Sequence, residues 1–318
     1  MNDKIVLLNK YAIEGYIDKF SEILETIRDN PTYSQVYHEG LKRLASYRTA
    51  ILENRRTVDG ETIYSMRNEQ LYLSKLVTKL DPKLKYVIDI GAGDGINWSN
   101  VFHFLCKGWD GLLIEGRPDG IAQAIRNCGH LPGNIIYVAA FIAPEKIVDL
   151  LSSIEVPKRP TIISVDIDSL EYRLVDTMLA HYRPSIMCIE INERLPPPIE
   201  YMCNIQPTKV RRDLTLFSSA SIQSWYKLLL RYDYKLYRLE YNNLIAVDGE
   251  LAEFNDIPVR TPESVYHDFI AQPDKHVLFP WNNQFYKELI DPLGSHDFTA
   301  VPTVELEEFF HKKLAKII

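Results

Sequence analysis

Long apolar runs are missing from this chain of 318 residues. No segment approaches the roughly 18 uninterrupted apolar residues that a membrane-spanning helix requires, so we expect neither a membrane protein nor a membrane partner. The apolar run near the N-terminus covers only residues 5–8, which is too short for the apolar region of a secretory signal peptide. We therefore expect a cytoplasmic protein.

Cysteine is scarce as well, and neither sign of charge dominates. The four cysteines show no C-x-x-C spacing, and reduced thiols in a cytoplasmic protein are the simplest interpretation. The formal net charge is −7, with acidic and basic residues interspersed along the chain. This pattern lacks the basic patch that is typical of nucleic-acid binding, so no nucleic-acid partner is expected.

The N-terminal region, residues 1–83, carries helical periodicity and no cluster of titratable residues. Apolar residues recur at steps of three and four over 13–28 and over 33–51, and a third helix is predicted over 66–80. We interpret residues 1–83 as a helical cap. Its apolar stripes are typical of core packing or of a dimer contact, so a homo-oligomer is one of two interpretations.

At residue 84 the pattern changes to short apolar runs that alternate with helical stretches, which is typical of βαβ units and a parallel sheet. We predict an α/β, Rossmann-like core over 84–249. Its seven-stranded sheet should be mostly parallel, with an antiparallel last strand. Residues 250–318 are predicted to form an aromatic-rich extension that ends in a helix. The predicted strands lie at 86–90, 111–115, 134–139, 161–166, 185–191, 234–239 and 243–248.

The segment 86–95, Tyr-Val-Ile-Asp-Ile-Gly-Ala-Gly-Asp-Gly, is the most informative part of the sequence. Its apolar half predicts a buried parallel strand, and its alternating glycines allow a tight turn in which the backbone approaches a ligand closely. The G-x-G-x-G spacing differs from the G-x-G-x-x-G of dinucleotide folds, and Asp94 would repel a pyrophosphate. A ligand with an adenosine, a positive charge and no phosphates, such as S-adenosylmethionine, fits this loop. The predicted cofactor contacts in this segment are Asp89, Gly91, Gly93, Asp94 and Gly95.

The second predicted strand ends at Glu115, 20 residues beyond Gly95. In sheet folds of this kind, an acid at about this interval accepts hydrogen bonds from the ribose hydroxyls of a nucleotide ligand. We therefore predict that Glu115 contacts the ribose of the cofactor. Arg67 or Asn68, close to the first strand of the core in sequence, is a candidate for binding the methionine carboxylate.

Acids and an amide end the fourth and fifth predicted strands of the core. Asp166 and Asp168 are two positions apart, and so are Glu190 and Asn192. Along a strand this spacing puts both members of a pair on one face, here at the ligand-binding edge of the sheet. Three interpretations stay open. Hard oxygen ligands suit Mg²⁺ or another divalent cation, held by Asp166, Glu190 and Asn192. Without a metal, Asp166 contacts the cofactor while Asp168 and Glu190 are the catalytic acid–base groups. In the third interpretation some of these residues only cap the helix that follows.

With these motifs the chain resembles the class I S-adenosylmethionine-dependent methyltransferases, and more narrowly the small FkbM-like methyltransferases. The similarity covers residues 66–248. Ser169 and Glu171 depart from the glycine and aspartate of the family pattern, and Glu190 and Asn192 are not adjacent as in metal-dependent relatives of the fold. The motifs that carry the resemblance beyond the glycine loop lie at 166–172, 189–192, 217–222 and 242–247.

The resemblance implies transfer of a methyl group from S-adenosylmethionine. Clustered acids favour a hydroxyl acceptor, because a hydroxyl must lose its proton during the transfer. We therefore predict O-methylation of a small molecule or a saccharide. The alternative is a methyltransferase-like binding or scaffold subunit without catalysis. A nicotinamide-dependent dehydrogenase is disfavoured by Asp94 and by the glycine spacing.

Overall fold

The chain forms two compact units, residues 1–62 and residues 63–318. The predicted helices at 13–28 and 33–51, and most of the predicted C-terminal extension, lie outside the described residues. The predicted boundaries at 83 and 249 stay predictions. The computed structural model describes residues 57–58, 60–203 and 219–271, together with Thr26, Pro31 and Ser34.

In the first unit the described residues form a short antiparallel hairpin. Strand β1, Thr57–Val58, pairs with strand β2, Glu61–Thr62. Gly60 lies in the turn with φ of +81°, a conformation that glycine adopts without a steric cost. The sequence pattern did not predict this hairpin.

The second unit is built on a seven-stranded sheet in the order β5-β4-β3-β6-β7-β9-β8. Strands β3 to β7 are all parallel, and β9 runs antiparallel to both β7 and β8. This arrangement confirms the predicted Rossmann-like fold class, including the antiparallel last strand. The strands are β3 Tyr86–Ile90, β4 Asp110–Glu115, β5 Ile135–Ala139, β6 Ile162–Val165, β7 Ile186–Glu190, β8 Tyr234–Glu240 and β9 Asn243–Asp248.

Helices connect and cover these strands. The longest described helix, Glu69–Leu80, has 12 residues. In the part of the chain that the structure describes, no helix is both long and apolar enough to cross a membrane. A 3₁₀ turn at Pro144–Lys146 leads directly into the helix at Ile147–Ser153. The helices are α1 Glu69–Leu80, α2 Phe102–Cys106, α3 Pro118–Cys128, α4 Ile147–Ser153, α5 Glu171–Leu179, α6 Ile222–Arg231, α7 Gly249–Phe254 and α8 Pro262–Ile270.

The central strands are mostly apolar because each faces a hydrophobic cluster on both sides. Ile88 and Val87 are neighbours on β3, are both fully buried, and belong to different clusters. The same alternation holds on β7, where Met187 lies in one cluster and Cys188 in the other. This two-sided burial fixes the register of the strands, since a slip by one residue would exchange the faces. It therefore also fixes which residues stand at the carboxyl ends of the strands.

At the opposite edge of the sheet, away from those carboxyl ends, an ion pair between a buried carboxylate and a partly exposed arginine joins the start of β7 to the end of β9. The Asp248 side chain is fully buried, and its Oδ2 accepts hydrogen bonds from Arg183 Nε at 2.5 Å and Arg159 Nη2 at 3.3 Å. Its Oδ1 accepts from the Leu251 backbone N–H at 3.2 Å and so caps α7. One carboxylate thus connects two strands and a helix.

We predict that Asp248→Ala lowers the free energy of unfolding by about 3 kcal/mol, because it removes a buried ion-pair partner and a helix cap together. Urea unfolding followed by circular dichroism measures this loss. The matched control is Asp149→Ala, which breaks the exposed pair between Lys146 Nζ and Asp149 Oδ2 (3.7 Å) and should leave stability nearly unchanged. Equal losses in the two variants would contradict the role given to Asp248.

Candidate functional site

The carboxyl ends of β3, β4, β6 and β7 meet at one edge of the sheet, and the segments that follow them contain almost all of the predicted site residues. Parallel strands in adjacent positions place their following loops side by side, which is where ligands bind in open α/β sheets. Here the backbone N–H of Asp166 donates to the carbonyl of Ile90 at 2.9 Å, so the loop after β6 lies against the end of β3. The site is therefore assembled around β3.

The three glycines after β3 all have positive φ, but they differ in what surrounds them. A Cβ on Gly91 would lie 1.6 Å from the backbone oxygen of Asp166, and a Cβ on Gly95 would lie 2.8 Å from Cys128 Sγ. Gly91 and Gly95 are therefore required for packing. Gly93 has φ of +55°, and a Cβ there would meet no atom within 4 Å. The backbone at Gly93 faces open space that a ligand can occupy.

Asp94 is held by hydrogen bonds within its own loop. Its Oδ1 accepts from the backbone N–H groups of Ile96 at 2.9 Å and Asn97 at 2.7 Å, and its Oδ2 accepts from Asn97 Nδ2 at 2.5 Å. Aspartate side chains often stabilise turns by bonding to backbone two residues ahead. The structure thus gives Asp94 a role in shaping the loop, and its contact with a cofactor stays a prediction.

Asp89 lies inside β3 and faces the buried side of the loop. Its Oδ2 accepts from Ser99 Oγ at 3.3 Å, and Ser99 Oγ in turn accepts from the backbone N–H of Phe102 at 3.1 Å. Burial raises the pKa of Asp89 to about 6, an effect that the hydrogen bonds from Ser164 and Ser99 reduce. Asp89 therefore anchors the segment that follows the glycines, and a direct cofactor contact stays a prediction.

Glu115 is buried at the end of β4 and bonds to the glycine loop. Its Oε2 accepts from the Gly93 N–H at 2.9 Å, and its Oε1 accepts from the Arg117 N–H at 2.8 Å. The Arg117 guanidinium lies 3.5 Å from the same Oε1. The carboxylate of Glu115 thus connects the glycine loop to the residue that precedes α3, and its contact with a ribose stays a prediction.

An aromatic residue that the sequence analysis missed stands beside this acid. Phe141, just after β5, is 79% exposed, and its ring lies directly against Gly116, where a Cβ would come within 2.3 Å of a ring carbon. An exposed aromatic face can stack on the base of a nucleotide-like ligand. The only sequence signal was one phenylalanine after a predicted strand, which does not stand out from a core residue.

Three predicted acids come together at the ends of β6 and β7. One carboxylate oxygen each from Asp166, Asp168 and Glu190 lies within 4.8 Å of the other two. Burial, with Asp168 nearby, raises the pKa of Asp166 to about 7. Burial also raises the pKa of Asp168, although the Arg117 guanidinium opposes the shift. The pKa of Glu190 is raised well above its ordinary value by burial and, next, by the charge of Asp166. These three residues form the acid cluster.

The loop that carries two of these acids is held by Glu171, a residue to which the sequence analysis gave no role. Glu171 is completely buried at the first position of α5, and its Oε1 accepts from the N–H groups of Ile167 at 3.0 Å and Ser169 at 2.8 Å. Between these donors Asp168 adopts a left-handed conformation with φ of +60°. The left-handed residue is therefore Asp168 and not Ser169, so the missing family glycine at 169 is not needed for this turn.

Asn192 and Asn68 have partners away from the acid cluster. Asn192 is buried; its backbone N–H donates to Ala220 at 2.9 Å, and its Oδ1 accepts from the Arg194 N–H at 3.3 Å. Asn68 Nδ2 donates to Glu240 Oε1 at 2.7 Å. The roles predicted for Asn192 as a metal ligand, and for Arg67 or Asn68 at the methionine carboxylate, stay predictions.

No protein-family model and no curated protein matches this chain. Solved structures that resemble it include a putative O-methyltransferase from Klebsiella pneumoniae, with 13% identity and a TM-score of 0.40, covering 64% of this chain and 96% of that one. An S-adenosylmethionine-dependent methyltransferase from Clostridium acetobutylicum has 11% identity and a TM-score of 0.36, and the match covers 66% of this chain and 99% of that one. The magnesium protoporphyrin IX methyltransferase from Synechocystis, with bound SAH, has 11% identity and a TM-score of 0.36, and the match covers 57% of this chain and 83% of that one. Likeness at this level supports no activity, ligand or substrate for this chain.

The raised pKa values of several carboxyl groups predict how the stability of the fold depends on pH. Burial raises the pKa of Asp89 to about 6, and those of Asp166, Glu171 and Glu69 to about 7. Because these values lie above those of the unfolded chain, the folded state binds more protons, and the stability gained at acidic pH is lost as pH rises through the folded pKa values. We therefore expect the Tm to fall between pH 5 and pH 8, measured by scanning calorimetry.

Glu69→Gln provides the sharper test of this dependence. It cannot ionise but keeps an oxygen that can accept from Asn243 Nδ2, as Glu69 Oε1 does at 3.1 Å. This variant should lose less Tm between pH 5 and pH 8 than the wild type. The exposed Glu145→Gln variant should follow the wild type. A Tm that rises with pH in the wild type would contradict the burial of these acids.

Proposed function

We propose that this protein binds S-adenosylmethionine at the glycine loop and transfers its methyl group to a hydroxyl of a small molecule or saccharide. One observation carries the proposal. The open backbone at Gly93 lies beside the carboxylate of Glu115, which accepts from the Gly93 N–H, and the acid cluster stands at the same edge of the sheet. A nucleoside-binding loop and proton-accepting groups thus share one site.

Electrostatics favours a cationic ligand without phosphates. The loops around the site contain the carboxyl groups of Glu115, Asp168 and Glu190, and only the Arg117 guanidinium is in ion-pair range of one of them among the described residues. A pyrophosphate would be repelled by this arrangement, whereas the sulfonium and ammonium groups of S-adenosylmethionine would be attracted. Phe141 offers an apolar face for an adenine ring next to Glu115. These features favour the methyl donor over a nicotinamide dinucleotide.

When bound, S-adenosylmethionine supplies an electrophilic methyl carbon whose bonding electrons return to sulfur as the new O–C bond forms. The protein must orient the acceptor and accept the hydroxyl proton. We assign that proton to Glu190 or Asp168. Burial raises the pKa of both carboxyl groups, and a carboxylate with a raised pKa is a stronger base than an ordinary one.

A divalent cation is the alternative means of lowering the pKa of the hydroxyl. The acid cluster offers three carboxylates within 4.8 Å of one another, a hard oxygen donor set that suits Mg²⁺. Asp166, Asp168 and Glu190 would hold such an ion, so Asp168 takes the place that the sequence pattern gave to Asn192. The metal-free assignment is the one we propose, and the activity experiment below includes the cation.

Gly93→Asn is predicted to abolish S-adenosylmethionine binding without unfolding the protein. Asparagine tolerates the left-handed backbone of Gly93, and its side chain would extend into the open space that the ligand needs. Isothermal calorimetry should show at least a hundredfold loss of affinity, roughly 2.7 kcal/mol. Gly60→Asn is the control, since Gly60 also has positive φ and open surroundings. Unchanged affinity in Gly93→Asn would place the ligand elsewhere.

For catalysis we predict that Asp168→Asn and Glu190→Gln each slow methyl transfer by about a hundredfold or more, the range for removing a general base. The assay transfers a deuterated methyl group to a panel of saccharides and phenols and detects the product by mass. S-adenosylmethionine affinity should change less than twofold. EDTA should have no effect; inhibition reversed by Mg²⁺ would support the cation alternative. Wild-type rates in both variants would refute the proposed mechanism, and binding without any methylated product would support the scaffold alternative.

A further inference from the structure

A groove borders β8, the outermost strand at one end of the sheet. It lies between α1, β8 and the segment that leads into α8, and its volume is about 470 Å³, a size that is typical of small-molecule sites. Because β9 stands between β8 and β7, a whole strand separates this groove from the acid cluster. The residues that line the groove include Tyr72, Tyr237, Arg238, Val259 and Arg260.

An irregularity in β8 turns two consecutive side chains toward this groove. The register of β8 with β9 shifts between Leu236 and Arg238, so Tyr237 stands opposite no residue of β9. Neighbouring side chains of a regular strand point to opposite faces. Here both contact the ring of Tyr72, because the Tyr237 ring centroid lies 6.4 Å and Arg238 Cζ lies 4.1 Å from its centroid. The irregularity therefore places an aromatic ring and a guanidinium in one groove, as strand bulges beside binding sites often do.

The guanidinium of Arg238 is held on one side and open on the other. Its Cζ lies over the Tyr72 ring, and its Nε donates to Glu240 Oε2 at 2.8 Å, so its position is fixed. Its two Nη atoms have no hydrogen-bond acceptor among the described residues, and the side chain is 22% exposed. The Nη atoms of a guanidinium form a planar fork that matches the two oxygens of a carboxylate. Arg238 is therefore preorganised to bind an oxyanion.

The charged side chains that line or contact the groove leave one positive charge without a partner. Arg238 is paired with Glu240. Arg260 is paired with Asp268, because its Nη2 lies 2.7 Å from Asp268 Oδ2. Lys75 Nζ lies 5.4 Å from the centroid of the tyrosine ring that carries the Arg238 guanidinium, and it has no ion-pair partner among the described residues. Three cations thus face two carboxylates, so a ligand with a single negative charge would neutralise the groove.

We propose that this groove is a second binding site, for a flat aromatic molecule that carries a carboxylate. The Arg238 fork binds the carboxylate, and the rings of Tyr72 and Tyr237 contact the aromatic part of the ligand. The Val259 side chain adds an apolar wall. Arg260 Nη1 donates to the Tyr237 carbonyl at 3.4 Å and so holds the segment before α8 against β8. The inference does not depend on the proposed methyl transfer.

The test titrates the full-length protein with 2-naphthoate and follows binding by saturation-transfer NMR. We expect saturable binding with a Kd of about 1 mM or below, the range for a ligand of this size. The amide 2-naphthamide has the same rings and no charge, and it should bind about tenfold more weakly or worse, because the charge-assisted hydrogen bonds are lost. Equal binding of the two probes, or no saturable binding of 2-naphthoate, overturns the proposal. Tighter binding of 2-naphthyl phosphate overturns the assignment of a carboxylate.

Two variants locate the binding of 2-naphthoate. Arg238→Lys keeps the charge and removes the planar fork, and Val259→Asp places an acid in the groove at a position that is 72% exposed. Each should weaken binding about tenfold or more. Phe254→Asp is the matched control, because Phe254 is 86% exposed and does not line the groove, and its affinity should equal that of the wild type. Unchanged affinity in Val259→Asp, or an equal loss in Phe254→Asp, overturns the proposal. If Arg238→Lys does not fold, Val259→Asp decides.

Discussion

The crowding of carboxyl groups at one edge of the sheet is the constraint on which the rest of the site depends. Parallel strands end side by side, so acids at the ends of neighbouring strands are forced close together. Asp166, Asp168 and Glu190 lie within 4.8 Å of one another, and Asp89 is buried nearby in β3. Partial burial disfavours full ionisation of such a group, which is why several of these acids have raised pKa values.

The fold compensates this crowding mainly with fixed hydrogen-bond donors. The Gly93 N–H bonds to Glu115, the N–H groups of the loop after β6 bond to Glu171, and the Asn242 amide bonds to Glu190. Donors of this kind are held by the backbone and need little rearrangement when a ligand arrives. They add no positive charge to the site, which suits the cationic methyl donor that we propose.

Much of this could be predicted from the sequence because it depends on local rules. The apolar run and glycines of 86–95 specify a strand and a turn, and the position of Asp166 and Asp168 directly after an apolar strand places both acids at the same edge. Asp94 could have been interpreted better, since a turn aspartate commonly bonds to backbone two residues ahead, as it does to Ile96.

The rest could not be predicted, because it depends on contacts between residues far apart in the chain. The bond from Asn242 to Glu190 spans 52 positions and that from Asn243 to Glu69 spans 174, so no sequence period reports them. Glu171 is adjacent to the acids in sequence, but its role depends on complete burial. Phe141 is recognisable only because its exposed ring lies against Gly116.

A comparison of ligand binding at equilibrium tests the central claim most directly. The wild-type protein is titrated calorimetrically with S-adenosylmethionine, S-adenosylhomocysteine and NAD in the same buffer. All three ligands contain an adenosine; the first adds a sulfonium, the second a neutral thioether and the third a pyrophosphate. The negative, phosphate-repelling site described above predicts saturable binding of the first two ligands at one site per chain and no measurable binding of NAD. Binding of NAD in preference to S-adenosylmethionine, or no binding of either adenosyl ligand, would contradict it.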